Sequence, residues 1–161
     1  MKIALSAVVL LVACSVSATG ENKNYSGSYS QTGPKPQRPV LLQVKQDETA
    51  IELRRESDGK TVVTHVPLNG YPVECTTPGG VSGKCRAEFA GSDLIIESNV
   101  FTQVGTKTQI VRMHSKQTWH LSPDGKTLII KNQVDSPQIS PEILQSVAPD
   151  NPWTEIYQRV Q

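Results

Sequence analysis

Between residues 25 and 160 the chain falls into short runs rich in valine, isoleucine and threonine, each ended within a few residues by glycine, proline, asparagine or aspartate. No other feature constrains the fold as strongly. Branched side chains suit an extended backbone, and turn residues this closely spaced leave no room for a helical apolar stripe. The runs predict strands at 25–31, 40–46, 49–55, 60–66, 85–89, 94–100, 107–114, 117–121, 127–131 and 153–160. Within several of them apolar and polar residues alternate. Ile51 and Leu53 point one way, while Glu52, Arg54 and Glu56 point the other, which is the signature of a sheet with one dry and one wet face. The fold class expected is all-β, a single antiparallel up-and-down β-barrel of about eight to ten strands.

The turns carry register information. Ala90-Gly91-Ser92-Asp93 reads as a tight hairpin turn. Centred on Gly91-Ser92, it sets Phe89 opposite Leu94 and Ala87 opposite Ile96 on one face, with Arg86 opposite Glu97 on the other. Two further turns are nearly identical, Ser57-Asp58-Gly59-Lys60-Thr61 and Pro123-Asp124-Gly125-Lys126-Thr127. In both, aspartate caps its own backbone and glycine accepts positive φ, so both are expected to close hairpins with loops of about three to five residues. They are too short to indicate a duplicated domain.

The meander is interrupted at residues 134–152, where four prolines fall. Inside this stretch Ser140 suits an N-cap, Pro141 the first helical position and Glu142 the first turn, which predicts one short helix on a long loop near the C-terminus. A loop of this length in a small barrel is an insertion or a cover. Read as a cover, it makes Ile143, Leu144 and Val147 a candidate lid facing one mouth of the barrel.

The N-terminus reads as an export signal. Lys2 and the free amine supply positive charge, and the apolar run from Ile3 to Ala13 falls short of the roughly 20 residues a spanning helix needs. Leu11-Val12-Ala13-Cys14 fits a lipobox, with residues 1–13 removed and the Cys14 thiol acylated. Val16-Ser17-Ala18 also fits an ordinary secretory cleavage, with residues 1–18 removed. Cysteine parity favours the first reading. The chain has three cysteines, and acylation of Cys14 leaves Cys75 and Cys85 to pair. A disulfide around the glycine-rich stretch between them stabilises by up to about 3 kcal/mol in the chain-entropy picture. Residues 14–24 are then a flexible tether and 25–161 the folded domain. The location expected is exported and periplasm-facing, membrane-anchored through the lipid alone. A soluble periplasmic or secreted protein is the alternative.

Several functions are disfavoured. A net charge of +1 from 16 basic and 15 acidic side chains gives no field to gather phosphates, so nucleic acid is not an expected partner. His65, His114 and His120 lie on separate runs without metal-ligand spacing, and neither a metal nor another cofactor is expected. Asp47-Glu48 sits at a turn as solvated charge, Pro78-Gly79-Gly80 lacks the lysine of a phosphate-binding loop, and no nucleophile motif is present. The chain is accordingly read as non-enzymatic.

Gly27-Ser28-Tyr29, the segment from Trp119 through Asp124-Gly125-Lys126 to Ile130, and the closing Ile156-Tyr157-Gln158-Arg159 together resemble the bacterial lipocalin-like domains of calycin type. These exported barrels are mostly without an assigned activity. The resemblance covers about residues 25–160. It implies that Arg159 packs across Tyr29, in the place of a lipocalin tryptophan, to close the barrel. The leading function is a non-enzymatic envelope protein binding a small apolar molecule in its barrel. The alternative is an interaction or inhibitor module with a filled core, presenting loops such as 76–84 to another envelope protein.

Overall fold

The computed structural model describes residues 23–34, 39–77, 80–104 and 109–160. The signal segment, Cys14 and most of the tether lie outside these residues. The chain runs β1 (Gly27–Gly33), β2 (Val40–Gln46), β3 (Ala50–Ser57), β4 (Lys60–Pro67), β5 (Val73–Thr76), β6 (Ser82–Ala90), β7 (Asp93–Val104), β8 (Gln109–Leu121), β9 (Thr127–Asp135), α1 (Pro141–Val147) and β10 (Trp153–Arg159). All pairings are antiparallel, in the order β4-β3-β2-β1-β10-β9-β8-β7-β6-β5. Pairing of β10 with β1 joins the two ends of the chain, with Tyr29 opposite Arg159. The edge strands β4 and β5 then face each other, and the Thr64 hydroxyl bridges them by donating to the Thr76 carbonyl at 2.5 Å. The result is an all-β, nearly closed barrel.

The alternation rule placed the register of the β6–β7 hairpin correctly. Phe89 pairs with Leu94, Ala87 with Ile96 and Arg86 with Glu97, and the last two join as an ion pair on the outer face, with Arg86 Nε 2.6 Å from the carboxylate. Two elements differ from the sequence expectation. The run 117–121 and the described part of the run 107–114 are one strand, β8, whose middle residues Ser115 and Lys116 stay in the ladder opposite Ser98 and Glu97. Strand β5 was not anticipated. Its four residues are too few to show a period, and pairing with β6 defines them, Cys75 lying opposite Gly83. The disulfide between Cys75 and Cys85 fastens this edge strand to its neighbour.

The two near-identical turns are built differently. Ser57 pairs directly with Lys60, so Asp58 and Gly59 alone make the turn, both at positive φ, 55° and 69°. This is a two-residue loop, shorter than expected. In the second turn Pro123 stands where Ser57 does and has no N–H to donate to a ladder. The strands therefore end earlier, at the Leu121–Leu128 pair, and Asp124 Oδ1 accepts from the Ser122 hydroxyl at 2.6 Å and the Lys126 amide at 3.1 Å.

The core fills one end of the barrel. Tyr25, Tyr29, Leu94, Leu128 and Tyr157 are fully buried there with Trp119, Ile51 and Val66. Buried hydroxyls are satisfied locally. Tyr25 donates to the Trp119 carbonyl at 2.8 Å and Tyr29 to the Tyr25 carbonyl at 2.9 Å. Burial raises the pKa of both phenols, that of Tyr25 to about 12, so both remain donors. Arg159 lies over this plug with its guanidinium 4.9 Å from the Tyr29 ring centroid. It also donates to the Tyr29 hydroxyl at 2.7 Å and to the Ser26 and Gly125 carbonyls at 2.8 Å each.

Glycine is required at position 27 because a Cβ there would lie 2.6 Å from Arg159 Nη1, on a backbone with φ of +155°. Gly59 also has positive φ, +69°, but open space around it. Gly59→Ala is therefore expected to cost only the left-handed backbone penalty, about 1 kcal/mol. Gly27→Ala adds displacement of Arg159 and is expected to cost about 2–4 kcal/mol. Urea denaturation of the two variants side by side measures the difference.

Candidate functional site

The inward face changes character along the barrel. On β8 the inward residues run from Leu121 and Trp119, in the packed end, to Gln117, Ser115 and Met113. On β9 they run from Leu128 and Ile130 to Asn132 and Val134, and on β7 from Leu94 and Ile96 to Ser98 and Val100. Large apolar side chains thus give way to small and polar ones, and the sheet, held at fixed width by its pairing, is no longer filled. A cavity of 510 Å³ occupies this half, lined by Val81, Val100, Met113, Val134 and Trp153 with Ser98, Ser115, Gln117, Asn132, Arg55 and Glu155. Beneath it lies a void of only 10 Å³, room for at most a single water.

The floor between cavity and plug is polar and internally bonded. Arg55, inward after Ile51 and Leu53 on β3, faces Glu155 on β10 across the barrel, with Nη2 3.3 Å from Oε1 and Nη1 3.5 Å from Oε2. The Tyr157 hydroxyl donates to Glu155 Oε2 at 3.0 Å. Burial, reinforced by the neighbouring carboxylate charge, raises the Tyr157 pKa well above the usual phenol range, so this donor stays protonated. Beside the pair, Trp119 Nε1 donates to Gln117 Oε1 at 3.2 Å and Gln117 Nε2 to Asn132 Oδ1 at 2.8 Å. Asn132 Nδ2 passes the chain on to the Ile130 carbonyl at 3.4 Å.

The 134–152 segment leaves and returns at the cavity wall. Asn151 accepts from the Val134 amide at 2.9 Å and donates to the Val134 carbonyl at 2.7 Å. A side chain thereby continues the ladder just above the Trp153–Asn132 pair. Helix α1 forms where the sequence indicated, and the Ser140 hydroxyl accepts from the Ile143 amide at 3.4 Å. Ile143 is 46% exposed, neither it nor Leu144 lines the cavity, and the side chain of Val147 lies outside those described. The loop reaches the cavity through its ends, Val134 and Trp153.

The remaining candidates lie apart from the cavity lining. Cys75 and Cys85 are joined at the β5–β6 edge. Tyr29 and Arg159 sit at the plugged end. His120 contacts Asp93 at 2.8 Å, and His114 contacts Asp135 at 3.3 Å, both toward solvent. Among the described residues no cluster of three or more histidine, cysteine, aspartate or glutamate side chains is arranged to hold a metal ion. Sequence reasoning missed Arg55 and Glu155. The signal was the strand phase: extending Ile51, Leu53 by two reaches Arg55, and Glu155 sits two residues before Tyr157.

No family model matches the chain, and no curated protein matches it. Solved structures do. A fatty acid transporter described as REP1-NXSQ superimposes with a TM-score of 0.55 at 13% identity, covering 84% of this chain and 96% of that one. Apo lipid binding protein 8 of Caenorhabditis elegans gives 0.55 at 11%, covering 84% and 95%. Secretory abundant heat soluble protein 4 of Ramazzottius varieornatus gives 0.53 at 13%, covering 85% and 95%. Identities this low make the likeness one of fold alone, and the chemistry of the site has to be read from its own residues.

Removing one member of the floor pair leaves the other charged in a partly dry site. Arg55→Met is expected to lower stability by about 2–3 kcal/mol, below the full cost of a broken buried pair because Arg55 is 27% exposed. The double variant Arg55→Met/Glu155→Gln is expected to recover most of that loss. Urea unfolding of both checks the pair.

Proposed function

We propose that this protein is a non-enzymatic lipocalin-like binding protein of the cell envelope. It holds one small apolar or amphipathic molecule in the open half of its barrel. The observation that carries this reading is the 510 Å³ cavity, whose lining sets Val81, Val100, Met113, Val134 and Trp153 beside a limited set of polar side chains, with the Arg55–Glu155 pair among them. That volume lies in the usual range for ligand sites, and the lining pairs a hydrophobic wall with a few converging polar groups. The interaction-module reading called for a filled interior, and the open volume favours the ligand reading over it. The printed descriptions of the structural neighbours, a fatty acid transporter and a lipid binding protein, lend support by analogy of fold. Export and acylation at Cys14 rest on the apolar leader, the lipobox and the cysteine parity.

Native mass spectrometry of the protein purified from its own host, before and after mild organic extraction, is expected to show an adduct that extraction removes. Met113→Trp places a large ring in the cavity and is expected to weaken binding of a single-chain lipid probe at least about tenfold while leaving the melting temperature near that of the wild type. Absence of both an adduct and saturable probe binding by the wild type overturns the reading. The anchor is tested separately with a radioactive fatty acid, which is expected to label the wild type in its host and not Cys14→Ser. Label retained by the variant rules out the lipobox.

A further inference from the structure

Among the described residues lining the cavity, Arg55 and Glu155 are the only charged side chains, and they face each other. The site therefore holds a cation without holding net positive charge. Glu155 is fixed there from two sides, by the guanidinium at 3.3 and 3.5 Å and by the Tyr157 hydroxyl at 3.0 Å. Only 10% of its side chain is exposed, so turning it away to leave Arg55 free would break three charge-assisted hydrogen bonds. The neighbouring amides offer no substitute charge, since Gln117 and Asn132 are committed to each other and to Trp119. The other polar groups facing the volume, Ser98, Ser115, Thr77 and Thr102, are hydroxyls.

We infer that the cavity takes an uncharged single-chain amphiphile, with an alkyl tail along Val100, Met113, Val134 and Trp153 and a hydroxyl head at the Arg55–Glu155 pair, and that it discriminates against free carboxylates. This rests on the ligand-binding reading and specifies its head group. A hydroxyl donates and accepts through one oxygen, so it can accept from an unused guanidinium N–H while donating to the carboxylate. It meets both halves of the pair without breaking either. A carboxylate accepts only. At the same position it would bring a second negative charge against Glu155, in a recess where such repulsion is weakly screened, and would have to compete with Glu155 for the Arg55 guanidinium. The same reasoning predicts what removes the discrimination. Glu155→Gln keeps an acceptor for Arg55 and Tyr157 but deletes the opposing charge, and leaves Arg55 as an uncompensated cation.

The test uses the full-length chain near neutral pH and two ligands of equal tail length, tetradecan-1-ol and tetradecanoate, each titrated against a displaceable fluorescent fatty probe. The wild type is expected to bind the alcohol at least about tenfold more tightly than the carboxylate. Glu155→Gln is expected to gain at least about tenfold for tetradecanoate and to change little for the alcohol. Tetradecanoate binding to the wild type as tightly as the alcohol, or more tightly, overturns the head-group inference and leaves the ligand-binding reading standing. Binding of neither compound to the wild type overturns both. The wild-type comparison decides the matter even if Glu155→Gln is poorly folded, and circular dichroism of the variant shows whether its titration can be used.

Discussion

Tyr25, Tyr29, Trp119 and Tyr157 plug one end of the barrel, each at most 1% exposed and each burying about 150–250 Å² of mostly apolar surface. The rest of the structure depends on this plug. A closed or nearly closed sheet fixes the distance between its walls, so the interior has to be filled by side chains or left hollow. Concentrating the large rings at one end supplies the hydrophobic stabilisation there and relieves the other end of that duty. Tyr25 and Tyr29 suit the task because their hydroxyls reach backbone carbonyls at 2.8–3.0 Å. The plug is therefore tied to the sheet by hydrogen bonds as well as by packing, and Arg159 closes it from outside by bonding to two segments of chain, at Ser26 and Tyr29 and at the Gly125 turn.

Strand β10 links that plug to the cavity. Its inward residues, taken two at a time, are Trp153 in the cavity wall, Glu155 at the floor, Tyr157 in the core and Arg159 at the closure. Tyr157 belongs to both halves, since its ring is fully buried in the plug and its hydroxyl holds the floor carboxylate. The Arg55–Glu155 pair consequently occupies a boundary. Packed rings below restrict its motion, and the open volume above lets solvent or a ligand reach its remaining hydrogen-bonding capacity. A fully buried pair would bear a larger desolvation cost, and one on the outer surface would have no fixed geometry.

The strands and most of the register were legible because they follow from local rules. Alternation at Ile51 and Leu53 and the tight turn at Gly91-Ser92 place side chains without reference to distant residues. Strand β5 was not legible, because its four residues are defined by a partner strand and a disulfide. The contrast between Asp58-Gly59 and Asp124-Gly125 shows how one further residue, Pro123, redirects an otherwise shared turn. The cavity was also hidden, since no single strand reveals that small and polar inward residues on β7, β8 and β9 lie at the same end. Arg55 and Glu155 read as ordinary surface charges until the strand phase is carried one step past the apolar residues. The expectation of Ile143 and Leu144 over the mouth came from helical periodicity, which identifies an apolar face without saying what it covers.

A barrel of this kind sets a volume and leaves the lining to decide what enters it. In this lining apolar and polar side chains share the walls, and at the floor two opposite charges meet within hydrogen-bond distance. Under the ligand-binding reading proposed above, affinity comes from tail burial along Val100, Met113, Val134 and Trp153, and selectivity from the hydrogen-bonding match at the floor. Burial of an alkyl chain is tolerant of its length, whereas an unmatched donor or charge at the floor is costly to leave unpaired. Under the proposed reading the head group is therefore the part of a ligand that this site reads.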